Sequence, residues 1–235
     1  MPRGSPSSQS RPGENQSRND VLIWGARGHA KVVADIVRQN RYAVWGFLDD
    51  ITPDRQGESF CGATVLGNAS QLQKIYESGV RKAIVAFGDN TRRLAVGELL
   101  EERGFELITA IHPSAVVALD ALIGSGSMIA AGAVVGPGAV IGRCVILNTA
   151  ATVDHECTVA DGAHIGPGAH IAGLVQVERG AWIGIGVTII DRKQIGAWSI
   201  VGAGAVVIEN VPDRVLVAGV PARVVKSVEE ARPIR

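Results

Sequence analysis

From Ile111 onward every sixth residue is aliphatic, without a gap: Ile111, Val117, Ile123, Ile129, Val135, Ile141, Leu147, Val153, Val159, Ile165, Ile171, Val177, Ile183, Ile189, Ile195, Val201 and Val207. Four residues after each comes a second column that starts Ala115, Ala121, Ser127, Ala133, Ala139 and ends Ser199, Ala205, Val211. It is small or β-branched throughout, with Lys193 the exception. An amphipathic helix needs apolar residues three and four apart, and a sandwich needs period-two alternation with irregular turns. Neither holds a strict six. The period predicts a parallel β-solenoid of short flat strands with a turn every sixth residue. The aliphatic column points inward, and the second column is small because the interior is narrow. Successive coils then stack at about 4.8 Å, the spacing of strands in a sheet. Lys193 is expected to leave the interior and to mark a local irregularity.

Before residue 111 the pattern differs. Val21–Trp24 reads as a strand, followed by the turn Gly25-Ala26-Arg27-Gly28-His29-Ala30-Lys31. A helix is predicted from Val32 to Asn40, with Val33, Ile36 and Val37 on one face. Val44–Leu48 is a second strand, closed by Asp49-Asp50. A helix over Gln71–Glu77 precedes a strand at Ala83–Phe87, which ends at Gly88-Asp89-Asn90, and Thr91–Arg103 is again helical. Strand and helix alternating in this way imply a small Rossmann-like parallel sheet with helices packed on it. Ligands of such sheets bind at the carboxyl ends of the strands, which here carry the loops around Arg27, Asp49 and Gly88. The Gly25-x-x-Gly28 turn suits either strand-to-helix geometry or a phosphate at a helix N-terminus. Residues 1–19 are polar, lack the apolar segment of a signal peptide, and read as a disordered tail.

Composition follows this division. Sixteen of the 29 glycines lie in residues 111–212, whereas eight of the ten aromatics precede residue 111, so the early half has a conventional core and the later half cannot. Basic and acidic residues balance at 23 each, which argues against a nucleic-acid binder. No apolar run approaches the ~18–20 residues that span a bilayer. The three cysteines, Cys61, Cys144 and Cys157, lack metal-finger spacing and suit a reducing cytoplasm.

The segments GARGHAKVV, GFLDD and VAFGDN, followed by the hexapeptide repeat and AGVPARVV, resemble the bacterial nucleotide-sugar acetyltransferases across residues 20–226. This group spans N-acetyltransferases of UDP-4-amino-sugars and perosamine and O-acetyltransferases of sialic acid. The resemblance implies an α/β N-terminal domain at 20–110, a left-handed parallel β-helix at 111–212 with three hexads to each coil, and a C-terminal extension at 213–235. It implies a homotrimer with acetyl-CoA along the groove between two prisms, no metal, and no membrane or nucleic-acid partner. Arg27, Gly28, His29, Asp49, Asp50 and Gly88 match positions that hold the nucleotide-linked amino-sugar. His155 matches the general base, Glu156 the carboxylate beside it, and Asn148 a supporting residue. His164, Gly173, Ile185 and Ala203 match positions around acetyl-CoA, Gly173 through its amide. Arg27 stands where the family often has a small residue.

The chemistry suits the residues. Acetyl transfer from a thioester to an amine requires a proton to leave as the bond forms, and imidazole titrates in the right range. An adjacent carboxylate orients the ring or favours its protonated form, and a backbone N–H can meet the oxyanion. Cys157 lies in the inward column, which weakens a covalent thiol mechanism. His112 reads as structural, and His170 as surface decoration. His155, His164 and His170 are nine and six residues apart, which does not match the zinc spacing of prisms resembling gamma-class carbonic anhydrases. Sugar O-acetylation stays open as an alternative, as does the identity of the sugar and base.

Overall fold

The computed structural model describes residues 19–228. The expected tail therefore lies, apart from Asn19, outside the described residues, as does the end of the C-terminal extension. Among the described residues no helix is long and apolar enough to cross a membrane.

The first unit is a parallel sheet with helices on both faces. Its elements are β1 (Asp20–Trp24), α1 (Gly28–Gln39), β2 (Ala43–Leu48), the hairpin β3 (Ser59–Phe60) and β4 (Ala63–Gly67), α2 (Leu72–Glu77), β5 (Lys82–Val85), α3 (Asn90–Glu102) and β6 (Glu106–Leu107). Strand order is β3-β4-β2-β1-β5-β6, with β1 paired in parallel to both β2 and β5. The loops after these three strands therefore open on the same edge. α1 begins at Gly28, four residues earlier than the hydrophobic spacing predicts, because Arg27 is extended and the chain turns directly into the helix. Gly28 and His29 thus lie in its first turn. β3 and β6 have two residues each, too few for a periodic signal, and neither they nor β4 are expected from the sequence.

The repeat region is a prism. Two-residue strands β7 to β23 recur every six residues from Ala110–Ile111 to Val206–Val207. From β7 to β20 each pairs in parallel with the strand 18 residues on, as Met128 does with Ile146 and His164 with Trp182. Three sheets result, one per face, and three hexads complete a coil of the left-handed β-helix. Both inward columns are buried as expected: from Ile129 to Val207 the aliphatic positions are at most 2% exposed, and Ala133, Ala139, Ala151, Ala163, Ala169 and Ala181 are fully enclosed. Lys193 is partly exposed, yet its carbonyl still accepts from Gln176 N at 2.9 Å, so the side chain leaves while the ladder continues. The irregularity comes one coil later. Ile195 bridges Val211 and Val201 pairs with Val217, both 16 residues away rather than 18. Val211 thereby takes the aliphatic ladder position above Ile195. Beyond it, β24 (Val215–Ala218) extends the first face and β25 (Arg223–Ser227) folds back antiparallel on it.

α3 fastens the two units together. Its buried face presents Arg93, Leu94, Val96, Gly97 and Leu100. A Cβ on Gly97 would lie 2.8 Å from Cys144 Sγ, so helix and prism touch where the helix has no side chain. On the solvent side Glu101 pairs with Arg143, and Glu98 with Arg179 at 3.3 Å. Asp161, one coil from each arginine, pairs with Arg179 at 3.4 Å. Such exposed pairs add little individually, about 0–1 kcal/mol; the closely packed apolar contact carries the interface.

Candidate active site

The carboxyl ends of β1, β2 and β5 form a cleft lined by Trp24, Arg27, Asp49, Asp50, Phe87 and Arg92, among others. Gly25 (φ +128°) lets the first loop cross close to the third: a Cβ there would sit 2.6 Å from Ala86 O. The first turn of α1 holds no acidic residue and Arg27 makes no side-chain cap, so the helix N-terminus offers free N–H donors to an anion. Arg27 reaches across to Thr52 Oγ1 at 2.9 Å, and Gly28 has open space where a side chain would be.

The two aspartates shape this cleft from below. Asp49 is buried; Oδ1 accepts from Ile51 N at 2.9 Å and Thr52 N at 3.3 Å, and Oδ2 meets Arg55 at 3.3 Å. Asp50 accepts from Trp24 Nε1 at 2.7 Å, Ala69 N at 2.9 Å and Arg92 at 3.4 Å. Trp24 and Arg92 are cleft residues that sequence reasoning missed.

A second cluster forms at the prism edge after β14 (Thr152–Val153). His155 N is held by Asp154 Oδ1 at 2.7 Å, and the ring Nδ1 lies 3.2 Å from Glu156 Oε2. Both side chains are exposed. Glu156 occupies the left-handed turn position (φ 55°), where its neighbour one coil below is Gly138. The imidazole lies over Gly173, one coil above: a Cβ there would be 2.4 Å from His155 Nε2. Among the described residues the Gly173 N–H has no acceptor. With Nδ1–H donated to Glu156, Nε2 keeps a free lone pair and lies against Gly173, whose amide is a free donor. Cys157 is buried, its thiol pushed up by burial and donating to Ala172 O at 3.1 Å.

The third cluster lies where the two units meet. His164, on β16 (His164–Ile165), has Nε2 3.3 Å from Asn148 Nδ2, and its ring stacks on Trp182 at 6.1 Å. Gly88 approaches it closely enough that a Cβ would be 4.0 Å from His164 Cε1. Among the described residues His29 Nε2 and His164 Nδ1 are both buried without a hydrogen-bond partner. Burial, and then the charge of Arg93, lower His29 to about 4. Burial, then Arg93 and His29, lower His164 to about 3. Both rings are neutral at physiological pH.

The expected residues thus fall into three places. Arg27, Gly28, Asp49 and Asp50 are at the cleft; His155, Glu156 and Gly173 share one prism edge; His29 and Gly88 meet His164 and Asn148 at the junction. Ile185 and Ala203 stack one coil apart on the edge that starts at Asn148, where Gly204 N donates to Ile185 O at 2.8 Å. That edge and the edge of His155 are separated by one face of the prism, roughly 15 Å at about 3.3 Å per residue. A single chain therefore does not bring His155 to Asn148 and His164. His112 accepts from Ser114 N at 3.0 Å and meets Gln39 at 3.1 Å, and His170 meets Thr152 at 3.0 Å. Among the described residues no group of three or more His, Cys, Asp or Glu could hold a metal ion.

A Rossmann-like sheet with a loop cleft, set on a left-handed β-helix that carries a His–Glu pair at its edge, defines a hexapeptide-repeat acyltransferase with an N-terminal α/β domain. Residues 20–100 match the PglD N-terminal domain family. A variant of GDP-perosamine N-acetyl transferase from Caulobacter crescentus, solved with CoA and GDP-perosamine, is 38% identical; the match covers 89% of this chain and 98% of that one, with a TM-score of 0.86. The acetyltransferase domain of PglB from Neisseria gonorrhoeae, solved with acetyl coenzyme A, is also 38% identical, over 88% of this chain and 99% of that one, with a TM-score of 0.83. A 2,3,4,5-tetrahydropyridine-2,6-dicarboxylate N-acetyltransferase from Clostridium perfringens is 46% identical over 54 residues, and the match spans only 23% of that protein. The chain belongs to the bacterial nucleotide-sugar acetyltransferases.

Proposed function

We propose that this protein transfers an acetyl group from acetyl-CoA to the amino group of a nucleotide-linked amino-deoxysugar. The observation that carries the reading is His155 seated over Gly173 with Glu156 on its Nδ1, on a prism whose companion domain opens a separate cleft. Relatives of the same two-unit fold bind GDP-perosamine with CoA, or acetyl coenzyme A.

In this reading residues 20–110 hold the nucleotide, with the diphosphate at Arg27, Gly28 and the α1 N-terminus, and residues 111–212 carry the chemistry. The amine nitrogen attacks the thioester carbonyl as His155 Nε2 takes its proton. Glu156 accepts from Nδ1 and fixes the tautomer that leaves Nε2 free. The Gly173 N–H donates to the developing oxyanion. Collapse breaks the carbon–sulfur bond, the proton passes from His155 to the coenzyme sulfur, and an amide and free CoA result. His164 and Asn148 flank the thioester, and Ile185 and Ala203 contact the pantetheine arm through their backbones. The two edges cannot serve one coenzyme within a single chain, so the complete site lies between two copies. This supports a homotrimer with three sites. Three free cysteines suit a cytoplasmic enzyme.

The test is thiol release from acetyl-CoA with a panel of UDP-, GDP- and dTDP-linked amino-sugars, for wild type and His155→Ala. Turnover with at least one donor, lost in His155→Ala, is expected. No turnover with any donor, or equal rates in both proteins, contradicts the assignment.

A further inference from the structure

Arg93 has no part in the steps above, yet it is the largest fully buried side chain of the described residues and is 1% exposed. Among the described residues no carboxylate accepts a hydrogen bond from its guanidinium. Its hydrogen bonds go to carbonyls and one amide oxygen instead. Nε donates to Cys144 O at 2.8 Å. Nη1 donates to Phe87 O at 3.2 Å and Gly88 O at 3.1 Å. Nη2 donates to Asn90 Oδ1 at 2.9 Å, Gly162 O at 2.8 Å and Ala163 O at 3.3 Å. Three of the six acceptors belong to the loop after β5 and the start of α3, and three belong to two successive coils of the prism. Asn90 extends the clamp to a third coil, donating to Gly180 O at 3.0 Å and Ala181 O at 3.2 Å. A guanidinium is one of the few groups with enough fixed donors to satisfy so many carbonyls from one buried point. The residue it immobilises on the prism side, Ala163, is followed by His164; on the other side, a Cβ on Gly88 would lie 4.0 Å from that ring's Cε1.

We propose that Arg93 is a positioning residue for acetyl transfer, clamping the third loop of the cleft to the prism coils that lead into His164 and so setting how far a bound sugar reaches toward the acetyl-transfer edge. The placement of a sugar rests on the function proposed above; the clamp itself rests only on the geometry. A second consequence concerns charge. The groups facing His164 are Arg93 from α3, His29 from α1, the loop carbonyl of Gly88, and Asn148 and Trp182 of the prism. Arg93 is the one fixed charge among them, and it disfavours protonation of both histidines.

The test compares wild type, Arg93→Lys, Arg93→Met and Asn90→Ala. Folding is checked by far-ultraviolet circular dichroism, then kcat, KM for both substrates, the pH profile and amide hydrogen exchange are measured. Arg93→Lys keeps the charge but cannot bridge both units. It is expected to lower kcat at least tenfold with KM for acetyl-CoA within threefold, and to speed exchange at residues 86–90 and 162–164. Arg93→Met, which removes the charge as well as the bridge, is expected to show the same kcat loss at near-constant KM for acetyl-CoA and the same faster exchange at both segments. Asn90→Ala, which spares Arg93, covers the case in which Arg93→Met does not fold; it is expected to speed exchange at residues 90–93 and 180–182. Folded lysine and methionine variants with wild-type kcat and unchanged exchange at both segments overturn the proposal. If wild type turns over no amino-sugar nucleotide, the proposed function fails by itself, and exchange at 86–90 and 162–164 still decides the clamp.

Discussion

Replacing Gly173 by alanine separates the catalytic role of this position from its structural one. Its backbone is not in the left-handed region, so alanine is conformationally allowed there. By restricting the unfolded chain it contributes about 0.4–1 kcal/mol of stability. The new Cβ, however, would sit 2.4 Å from His155 Nε2 and 2.5 Å from Cε1. Carbon contacts relax near 3.5 Å, so the ring must move by about 1 Å. The His155 side chain is about half exposed (51%) and can swing outward at little cost. A misplacement of this size costs on the order of a hundredfold in rate, or about 2.7 kcal/mol of barrier. Thiol-release kinetics should therefore show kcat reduced about a hundredfold while the melting temperature is unchanged or slightly raised. If the effect runs through the ring, Gly173→Ala added to His155→Ala should cost nothing further. A single variant with kcat within threefold of wild type would refute the placement of the imidazole over Gly173. A double variant much slower than His155→Ala would refute its route through the ring.

Other consequences can be measured independently. Glu156→Gly removes a side chain from a left-handed position (φ 55°), so stability should hold or rise by up to about 1 kcal/mol while kcat falls about tenfold or more; a destabilised variant of full activity would contradict both roles. Ala139 is fully enclosed, and Ala139→Phe should lower thermal stability by at least about 1–3 kcal/mol; an unchanged melt would mean that the column does not face the prism interior. His29 and His164 titrate near 4 and near 3 when folded, below their ordinary value of about 6.5. The unfolded chain thus binds more protons as pH falls below about 6.5. Stability should drop by about 1.4 kcal/mol per pH unit for each ring until its folded value is reached. Melting temperature measured from pH 7 to 4.5 should fall steeply, and less so in His164→Asn; a flat profile would contradict the buried neutral pair. Cys157→Ala should keep wild-type kcat, since the thiol is enclosed and protonated; loss of turnover in a folded variant would reopen a thiol mechanism.

The prism was legible in the sequence because a β-helix repeats one local geometry, and each turn of that geometry recruits the same residue types at the same offset. The register failed only where the period did: a coil two residues short lifts Val211 into the aliphatic column, a shift no fixed six can reveal. The division of the site between two edges also follows from period, since His155 and Asn148 belong to consecutive hexads. The junction was not legible. His29 and His164 are 135 residues apart in the chain, and the docking of the α/β unit on the prism brings them together. Arg93 carried one signal that could have been read: it stands on the buried stripe of α3 with Val96, Gly97 and Leu100, where an arginine has to find acceptors. Their identity as carbonyls of Cys144, Gly162 and Ala163 is a tertiary fact. The two aspartates were legible as loop residues, but not that their oxygens are already engaged in shaping the cleft.

The most direct test of the central claim is the chemical identity of the product. Wild-type protein incubated with acetyl-CoA and its preferred nucleotide amino-sugar should yield a nucleotide sugar that carries one added acetyl group as an amide on the former amino nitrogen, resolved by proton–carbon correlation NMR. An ester on a sugar hydroxyl, or CoA released with the nucleotide sugar unchanged, would contradict it.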